Sequence, residues 1–422
     1  MNRAFLVSAF AFAFVLAGLM AEEAHLLLLA LPLVLYLVVG LWKAPDKLNL
    51  TVTRAMSTWR IALGESMQVT LSITNHGQNL EEVIVTDLLP PGLQVTQGSH
   101  RQLLSLPAGQ THTWTYHLSG KRGYYMLHQV DISARDHFGL VSVSQTLNTD
   151  GQLFIVPPVL RLRRISIRPR RTRIFAGSIP ANQGGPGIDF FDVRDYQSGD
   201  SSRSINWRLA ARHNALFSNQ FEQERVVDVG IILDGRHSAN QIGEHSIFEY
   251  SVMAAAALSN AFLSAGNRVG LLFYGKRIQW TMPGYGKIQG EKILNNLSGL
   301  ELGDTNTASE LKISHKRFPF RSQLVFISPM MTEDFNTIAD LRSRGYAVML
   351  LSPDPIAFEA AQEEVSESLA LALRIVYLQR KIFQNRLRAL GVHIVNWDVS
   401  QPFEQVARHE LERRQAPMRG GR

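Results

Sequence analysis

The chain opens with two long apolar runs, residues 4–21 and 24–42, separated by a pair of glutamates. Each run approaches the roughly 20 residues that cross a bilayer core. Arg3 precedes the first run, and Lys43 and Lys47 follow the second. Because positive flanks mark cytoplasmic ends, the pattern predicts a transmembrane helical hairpin with both ends inside.

That hairpin occupies residues 1–46 and predicts a multi-pass protein of the bacterial inner membrane whose soluble part is cytoplasmic. The alternative is a signal peptide cleaved at Met20–Ala21 and followed by one anchor helix. Cleavage there leaves almost no polar segment before the anchor, so we favour the hairpin.

Residues 47–156 alternate between apolar and polar positions in short runs rich in β-branched residues, such as 67–73 and 82–87. Period-two alternation is typical of half-buried strands, and Gly- and Pro-containing turns separate the runs. About seven short strands over this length predict an all-β sandwich of immunoglobulin-like type. The absence of a cluster of acids, bases or nucleophiles favours a spacer or a binding module.

From residue 226 to 422 the pattern predicts alternating strands and helices, and hence a doubly wound α/β domain with a parallel sheet. Asp234 ends the first strand, at the sheet edge where such domains bind ligands. The predicted strands are 226–233, 268–274, 323–328, 347–351 and 393–397. The predicted helices are 248–265, 287–297, 336–344, 358–390 and 403–413.

Composition agrees with a multidomain protein of 422 residues, of which 45% are hydrophobic and 19% charged. The formal charge of +7 is compatible with nucleic acid, an anionic membrane or an acidic partner. The chain has no cysteine, which excludes disulfides and thiol catalysis.

Residues 157–225 form a basic linker that also contains a sequence motif. Seven arginines lie within it from Arg161 to Arg173. Such a run can be a solvated or partner-facing surface, a membrane-surface contact or a nucleic-acid arm. It lacks the interleaved aromatics that stack on bases, so we expect no nucleic acid.

Residues 184–228 carry the most specific pattern, in which Arg-x-Tyr, Gly-Asp, Arg-x-Ile-x-Trp and Ala-Arg elements precede a strand that ends in aspartate. The pattern resembles the signature of the bacterial and archaeal domain of unknown function 58 family, and residues 136–140 resemble its upstream region. The matching positions are Arg194, Tyr196, Gly199, Asp200, Arg203, Ile205, Trp207, Ala211 and Arg212.

The resemblance implies a von Willebrand factor A-like C-terminal domain and association with MoxR-type AAA+ ATPases and, in some cases, transglutaminase-like proteins. It implies no established reaction. From the residues alone, the signature's opposite charges and aromatics predict a network that locks this segment onto the α/β domain, with Arg203 and Trp207 holding it. A surface for a partner or a phosphate is the alternative.

The resemblance also raises the question of a metal site. Related adhesion-type domains hold Mg²⁺ with Asp-x-Ser-x-Ser after the first strand, a later threonine and an aspartate after another strand, and oxygen ligands suit that cation. Asp234, Ser238 and Thr305 keep these ligand types. Arg236 replaces the middle serine, and Pro329 stands where the last aspartate is expected.

Arg236 can pair with Asp234 and occupy the place of a metal, so we expect a degenerate site with neither metal nor cofactor. Asp304 is the residue that would rescue a weak site. The sequence shows no His-x-x-x-His pair, phosphate loop or nucleophile elbow, so we expect no enzyme. The leading hypothesis is a scaffold or assembly factor, ahead of a metal-dependent adhesion module and an uncharacterised hydrolase.

Overall fold

The computed structural model describes residues 3–42, 48–135, 142–162, 173–242, 245–308, 311, 313, 317–319, 322–362 and 367–412. The upstream stretch 136–140 and most of the arginine run therefore lie outside the described residues. The chain forms two compact units, Met1–Val156 and Pro157–Arg422.

Two apolar helices begin the first unit, α1 (Arg3–Ala21) and α2 (Ala24–Trp42). They pack against each other, and a Cβ on Gly18 would lie 2.9 Å from Leu27 Cγ, so glycine permits their close approach at the turn. The α1 segment Ala4–Ala21 is long and apolar enough to cross a membrane, whereas the apolar part of α2, Ala24–Gly40, is shorter. The two-span topology stays a prediction.

The described residues in the rest of the first unit form eleven strands, where the sequence predicted about seven. Several are short strands that the alternation alone did not separate. They are β1 (Leu50–Met56), β2 (Arg60–Ala62), β3 (Met67–Asn75), β4 (Leu80–Asp87), β5 (Leu93–Gln97), β6 (Arg101–Leu106), β7 (Thr111–Gly120), β8 (Gly123–Met126), β9 (Gln129–Arg135), β10 (Ser142–Asn148) and β11 (Gln152–Val156).

These strands form two four-stranded sheets, ordered β1-β3-β7-β5 and β10-β9-β4-β6, and a three-stranded sheet, β2-β11-β8. In β3 every second residue is buried, as its alternating pattern predicts. The apolar residues among them, with the buried apolar residues of β4, β7 and β9, form one hydrophobic core.

The second unit begins with a long antiparallel pair, β12 (Arg173–Asp195) and β13 (Phe217–Val226), where the sequence predicted a linker. Its register shifts at four places, so the alternation that identifies strands is interrupted there. A short helix, α3 (Trp207–His213), lies between the two strands, and Asn206 caps it through a hydrogen bond from the Leu209 amide.

A six-stranded sheet forms the centre of the second unit. Its order is β18-β17-β14-β19-β20-β21, and all neighbours are parallel except the edge strand β18. Counted along this domain, that is the doubly wound order 3-2-1-4-5-6. The strands are β14 (Asp228–Asp234), β17 (Arg268–Tyr274), β18 (Gln279–Gly284), β19 (Gln323–Ile327), β20 (Ala347–Pro353) and β21 (His393–Trp397), with a small pair β15 (Gln241–Ile242) and β16 (His245–Ser246).

Helices connect these strands except β17 and β18, which follow each other directly. Neighbouring residues of β14 enter two different hydrophobic cores, Ile231 and Leu233 one and Ile232 the other. The predicted helix over 358–390 is described as two helices, with residues 363–366 outside the described part. The helices are α4 (His237–Asn240), α5 (Phe248–Ser264), α6 (Gly286–Ser298), α7 (Phe335–Ser343), α8 (Pro355–Gln362), α9 (Glu367–Ala389) and α10 (Phe403–Glu412).

Candidate functional site

The candidate site lies at the carboxyl edge of the parallel sheet, where three neighbouring strands end. Asp234 is the last residue of β14, Tyr274 the last of β17, and Ser328 follows β19. Because β14 lies between β17 and β19 and all three are parallel, these side chains meet at one edge.

Arg236 is the centre of this site. Its side chain is 2% exposed, and its Nη2 lies 2.7 Å from Asp234 Oδ2 and 2.7 Å from Asp334 Oδ2. Its Nη1 donates to Glu333 Oε1 at 2.8 Å. The Arg236 guanidinium also lies 5.4 Å from the centre of the Tyr274 ring. One guanidinium therefore bridges three carboxylates, and we call these five residues the Arg236 cluster.

Both oxygens of the Asp234 carboxylate are already used. Oδ1 accepts from the backbone N–H and Nε of Arg236, each at 3.0 Å. Oδ2 accepts from Arg236 Nη2 and from the Ser328 hydroxyl, each at 2.7 Å. The ion pair expected from the sequence between Arg236 and Asp234 is thus present. The residues do not fit a bound divalent cation at Asp234, because a guanidinium holds the oxygens a metal would need.

Glu333 and Asp334 reach the cluster from a 3-10 helix at Thr332–Asp334. Met330, just before it, has a positive φ of 67°, and this turn brings the chain back to the sheet edge. Asp334 is buried and also accepts from the Met331 amide at 2.9 Å, whereas the Glu333 side chain is 60% exposed. Glu333 is therefore the member of the cluster that solvent or a partner can reach.

Burial and charge act together on the titrating groups. Burial works against the charged form of Arg236, but the hydrogen bonds and charge of Asp234 outweigh it, so the pKa of Arg236 is raised. Burial, followed by the charges of Asp234 and Asp334, holds the pKa of Tyr274 well above its ordinary value. Arg236 and Tyr274 therefore stay protonated at physiological pH.

The other predicted ligands of the degenerate site do not join Asp234. Asp304 Oδ1 accepts from both the backbone N–H and the hydroxyl of Ser238 at 2.9 Å, and the backbone hydrogen bond is the main reason that the pKa of Asp304 is lowered. Thr305 lies exposed in the same loop. Asp304 thus fixes the start of α4 instead of adding a ligand at Asp234.

A second arginine, Arg380 of α9, also reaches the sheet edge. It donates to the carbonyl of Pro329, to the Ser352 hydroxyl at 2.7 Å and to the Pro353 carbonyl at 3.2 Å. Burial lowers the pKa of Arg380. Pro329, which stands where an aspartate was expected, therefore contributes a carbonyl oxygen to an arginine.

The signature residues form a smaller network. Arg194 Nη2 pairs with Asp200 Oδ1 at 2.6 Å, and this hydrogen bond is the main reason that the pKa of Asp200 is lowered. The Tyr196 hydroxyl donates to the Asp200 carbonyl at 3.3 Å, and Gly199 has a φ of 109° that favours glycine. The network folds this segment upon itself.

The expectation that Arg203 and Trp207 hold the segment in place is wrong. Trp207 is 66% exposed, and Arg203 and Arg212 are exposed as well. Trp207 is the first residue of α3, a position from which its ring reaches solvent instead of a core. The exposed aromatic and arginines favour the alternative, a surface that a partner can contact.

Asp234 and Arg236 were predicted from the sequence, and the other three members of the cluster were not. In the sequence, Tyr274 is only the last residue of a predicted strand, and Ser328 only precedes Pro329, so neither was predicted to belong to the site. The acidic pair at 333 and 334, so soon after a predicted strand, was the available signal. No sequence signal identified Arg380, because its helix mixes apolar and basic residues and the sequence does not show which basic side chain points inward.

Comparison with known proteins matches residues 192–354 to the family described as "Protein of unknown function DUF58". Residues 192–354 of this chain are therefore similar to that family. The DUF58 match begins within the signature segment and extends beyond β20, so it includes the whole Arg236 cluster. An uncharacterized Bacillus subtilis (strain 168) protein, YeaD, is 26% identical over 252 residues, which are 58% of this chain and 61% of the relative. The matched region thus covers less than two thirds of YeaD.

Two solved structures resemble parts of the chain at low sequence identity. One is the CARDB domain of a Pyrococcus furiosus protein, 12% identical, covering 26% of this chain and 90% of that one with a TM-score of 0.19. The other is a FixG-related protein from Vibrio parahaemolyticus, 10% identical, covering 25% and 95% with a TM-score of 0.18. TM-scores of this size are too low to assign a fold.

Proposed function

We propose that the protein is a membrane-anchored scaffold or assembly factor, not an enzyme, whose α/β domain offers the carboxyl edge of its sheet as a docking face for a protein partner. The observation that carries this proposal is the Arg236 guanidinium bound to both oxygens of Asp234. The Arg236 guanidinium supplies a positive charge at this edge without a metal, and its hydrogen bonds make the edge rigid.

The proposed architecture is an immunoglobulin-like sandwich used as a spacer, followed by a von Willebrand factor A-like domain. The strand order of the second unit, with one antiparallel edge strand, supports the latter. The two four-stranded sheets of the first unit support the former. The proposed location is the bacterial inner membrane, with α1 and α2 as a two-span anchor and the soluble part in the cytoplasm.

The partner proposed for this face is a MoxR-type AAA+ ATPase. Glu333 and Asp304 are exposed acidic side chains of this site, and they would pair with basic side chains of the partner. The exposed Trp207, Arg203 and Arg212 offer a further contact surface of the residue types that are enriched in interfaces.

The test is affinity capture of the full chain from solubilised membranes, read by mass spectrometry, with Glu333→Gln beside it. Glu333→Gln keeps a hydrogen-bond acceptor for Arg236 and removes the exposed charge. Glu291→Gln, an exposed position on α6, is the matched control. We expect an AAA+ ATPase to be enriched by the parent and the control, and less by Glu333→Gln. Enrichment that is equal for all three chains, or absent, contradicts the proposal.

A metal-dependent adhesion module is the second candidate, favoured by Ser238 and Asp304 lying together near the sheet edge. In such a module the partner completes the coordination of a divalent cation, so EDTA releases it. A scaffold that uses Arg236 keeps its partner in EDTA. Repeating the capture with EDTA, and elemental analysis of the purified chain, separates the two.

A further inference from the structure

Helix α9 carries an apolar stripe on its outer side. Leu371, Ile375, Leu378 and Ile382 are 63%, 51%, 51% and 57% exposed. Their spacing of four, three and four residues places them in one line, about 16 Å long from end to end. Single exposed apolar residues are ordinary, but four in register along one helix mark a contact surface.

The opposite side of α9 is the one that packs on its own domain. Arg380 donates to Ser352, Gln384 exchanges hydrogen bonds with Asn396, and Leu387 is fully buried. These contacts fix the helix on the sheet and leave the apolar stripe turned away from it. The stripe is therefore not the helix's own core face.

The stripe has the heptad pattern of a two-stranded coiled coil. Ile375 and Ile382 occupy a positions, and Leu371 and Leu378 occupy d positions, the combination that favours pairs of helices. Val376 and Tyr377 are also exposed, but they lie at b and c positions outside this seam. The a and d spacing, and not the width of the apolar face, therefore points to a second helix as the occupant.

The charged residues beside the stripe indicate which charges the partner helix must carry. The g positions are Arg374, Lys381 and Arg388, and the later e positions are Gln379 and Arg386, all of them exposed. No acidic residue occurs between positions 368 and 397. In coiled coils the e and g residues pair with opposite charges on the partner and so choose it. The partner helix must carry acidic residues beside its apolar seam.

A second copy of this chain does not meet that requirement. A parallel pair would place Lys381 opposite Arg386 of the other copy, and an antiparallel pair would bring the basic g positions together. The C-terminal segment 413–422 does not meet it either, because it holds four arginines and no acidic residue.

We propose that the outer face of α9 docks an amphipathic helix of another protein, with aliphatic residues at a and d and acidic residues at e and g. The occupant forms a short two-stranded coiled coil with Leu371–Ile382. This surface is separate from the Arg236 cluster, and the proposal does not depend on the function assigned to that cluster.

The test uses the full chain in nanodiscs of zwitterionic lipid and two synthetic probes. Both are labelled peptides of several heptads with Ile at a and Leu at d, one with Glu and the other with Lys at e and g. We expect fluorescence anisotropy to give at least about tenfold tighter binding of the Glu peptide. In Arg374→Glu, Lys381→Glu the preference should reverse.

Two further variants locate the binding on the stripe. Ile375→Ser, Leu378→Ser should abolish binding of the Glu peptide. Tyr377→Ser is the control, because Tyr377 is 48% exposed on the same helix but off the seam. Since all three residues are exposed, circular dichroism should be unchanged. Equal affinity for both peptides, or an unchanged preference after the charge reversal, overturns the proposal.

The two competing occupants give results of their own. The chain has no cysteine, so Ile375→Cys allows a single environment-sensitive fluorophore on the stripe. A blue shift in nanodiscs containing anionic lipid, with no peptide present, would assign the stripe to a membrane surface and overturn the proposal. Dimers of the parent chain that Ile375→Ser, Leu378→Ser dissociates would assign it to a second copy and do the same.

Discussion

At the scale of single residues, Arg236 determines the chemistry of the sheet edge. A buried charge is tolerated only when it is paired and hydrogen-bonded, and Arg236 meets this condition with Asp234 and Asp334. These two buried carboxylates depend on Arg236 in turn, because it is the cation that pairs with both of them in the part of the chain that the structure describes. Removing Arg236 would therefore strand two buried negative charges.

We expect Arg236→Ala to lower the free energy of unfolding by about 3–5 kcal/mol, the usual cost of breaking a buried ion pair from one side. Urea unfolding of the full chain in detergent micelles measures it. Arg344→Ala is the control, because Arg344 pairs with Asp340 at the surface and should cost less than about 1 kcal/mol. Equal losses in the two variants would show that the Arg236 cluster does not stabilise the domain.

Part of this site could be predicted from the sequence. Asp234 and Arg236 lie two residues apart at the end of a strand, so their pairing follows from local geometry. The contributions of Glu333 and Asp334 depend on the positive φ of Met330, which is a non-glycine residue and gives no signal. The inward turn of Arg380 depends on the packing of a helix that lies distant in sequence.

At the scale of elements, the sequence predicted the strands that are continuously buried and missed those that are exposed or irregular. Strands β17 and β21 have the predicted bounds, because each is a continuous run buried in a parallel sheet. Strand β18 was missed, because it is a partly exposed edge strand that contains Met282 and Pro283. The pair of β12 and β13 was missed because its register shifts break the period.

Helix α3 shows how sequence overestimates the burial of an aromatic residue. Trp207 is 66% exposed, so we expect Trp207→Ala to change the free energy of unfolding by no more than about 0.5 kcal/mol. If the signature segment is a recognition surface, the same variant should weaken partner capture. Thermal unfolding and the capture experiment measure the two effects.

Trp397 provides the matched control for that variant. It is 1% exposed, its ring centre lies 4.7 Å from that of Phe403, and its Nε1 donates to the Gln401 carbonyl at 3.0 Å. Trp397→Ala should cost about 3–5 kcal/mol. A comparable loss in Trp207→Ala would mean that the ring of Trp207 is buried after all.

At the scale of the whole molecule, the proposed function combines a membrane anchor with a docking face on the α/β domain. The first helix, α1, is long and apolar enough to cross a membrane, and the region that matches the DUF58 family contains the sheet edge that Arg236 holds. In our account the membrane holds the protein in place and the edge binds without a metal. The membrane topology and the absence of a bound metal are tested by separate experiments.

The topology half predicts that both ends of the α1–α2 hairpin face the cytoplasm, because Arg3, Lys43 and Lys47 flank it. A reporter that is active only in the periplasm, fused to the C-terminus, should give no signal. A reporter active only in the cytoplasm is the control and should give full signal. Strong periplasmic activity would rule out a hairpin with both ends inside.

The metal half is the central claim, and calorimetric titration of the full chain in detergent micelles with Mg²⁺ and Mn²⁺ tests it most directly. We expect no heat of binding from the parent, because Arg236 holds both oxygens of Asp234. The variant Arg236→Ser, Pro329→Asp restores the expected oxygen ligands and should bind measurably. Millimolar or tighter binding by the parent that Asp234→Ala abolishes would contradict the account and place the adhesion module first.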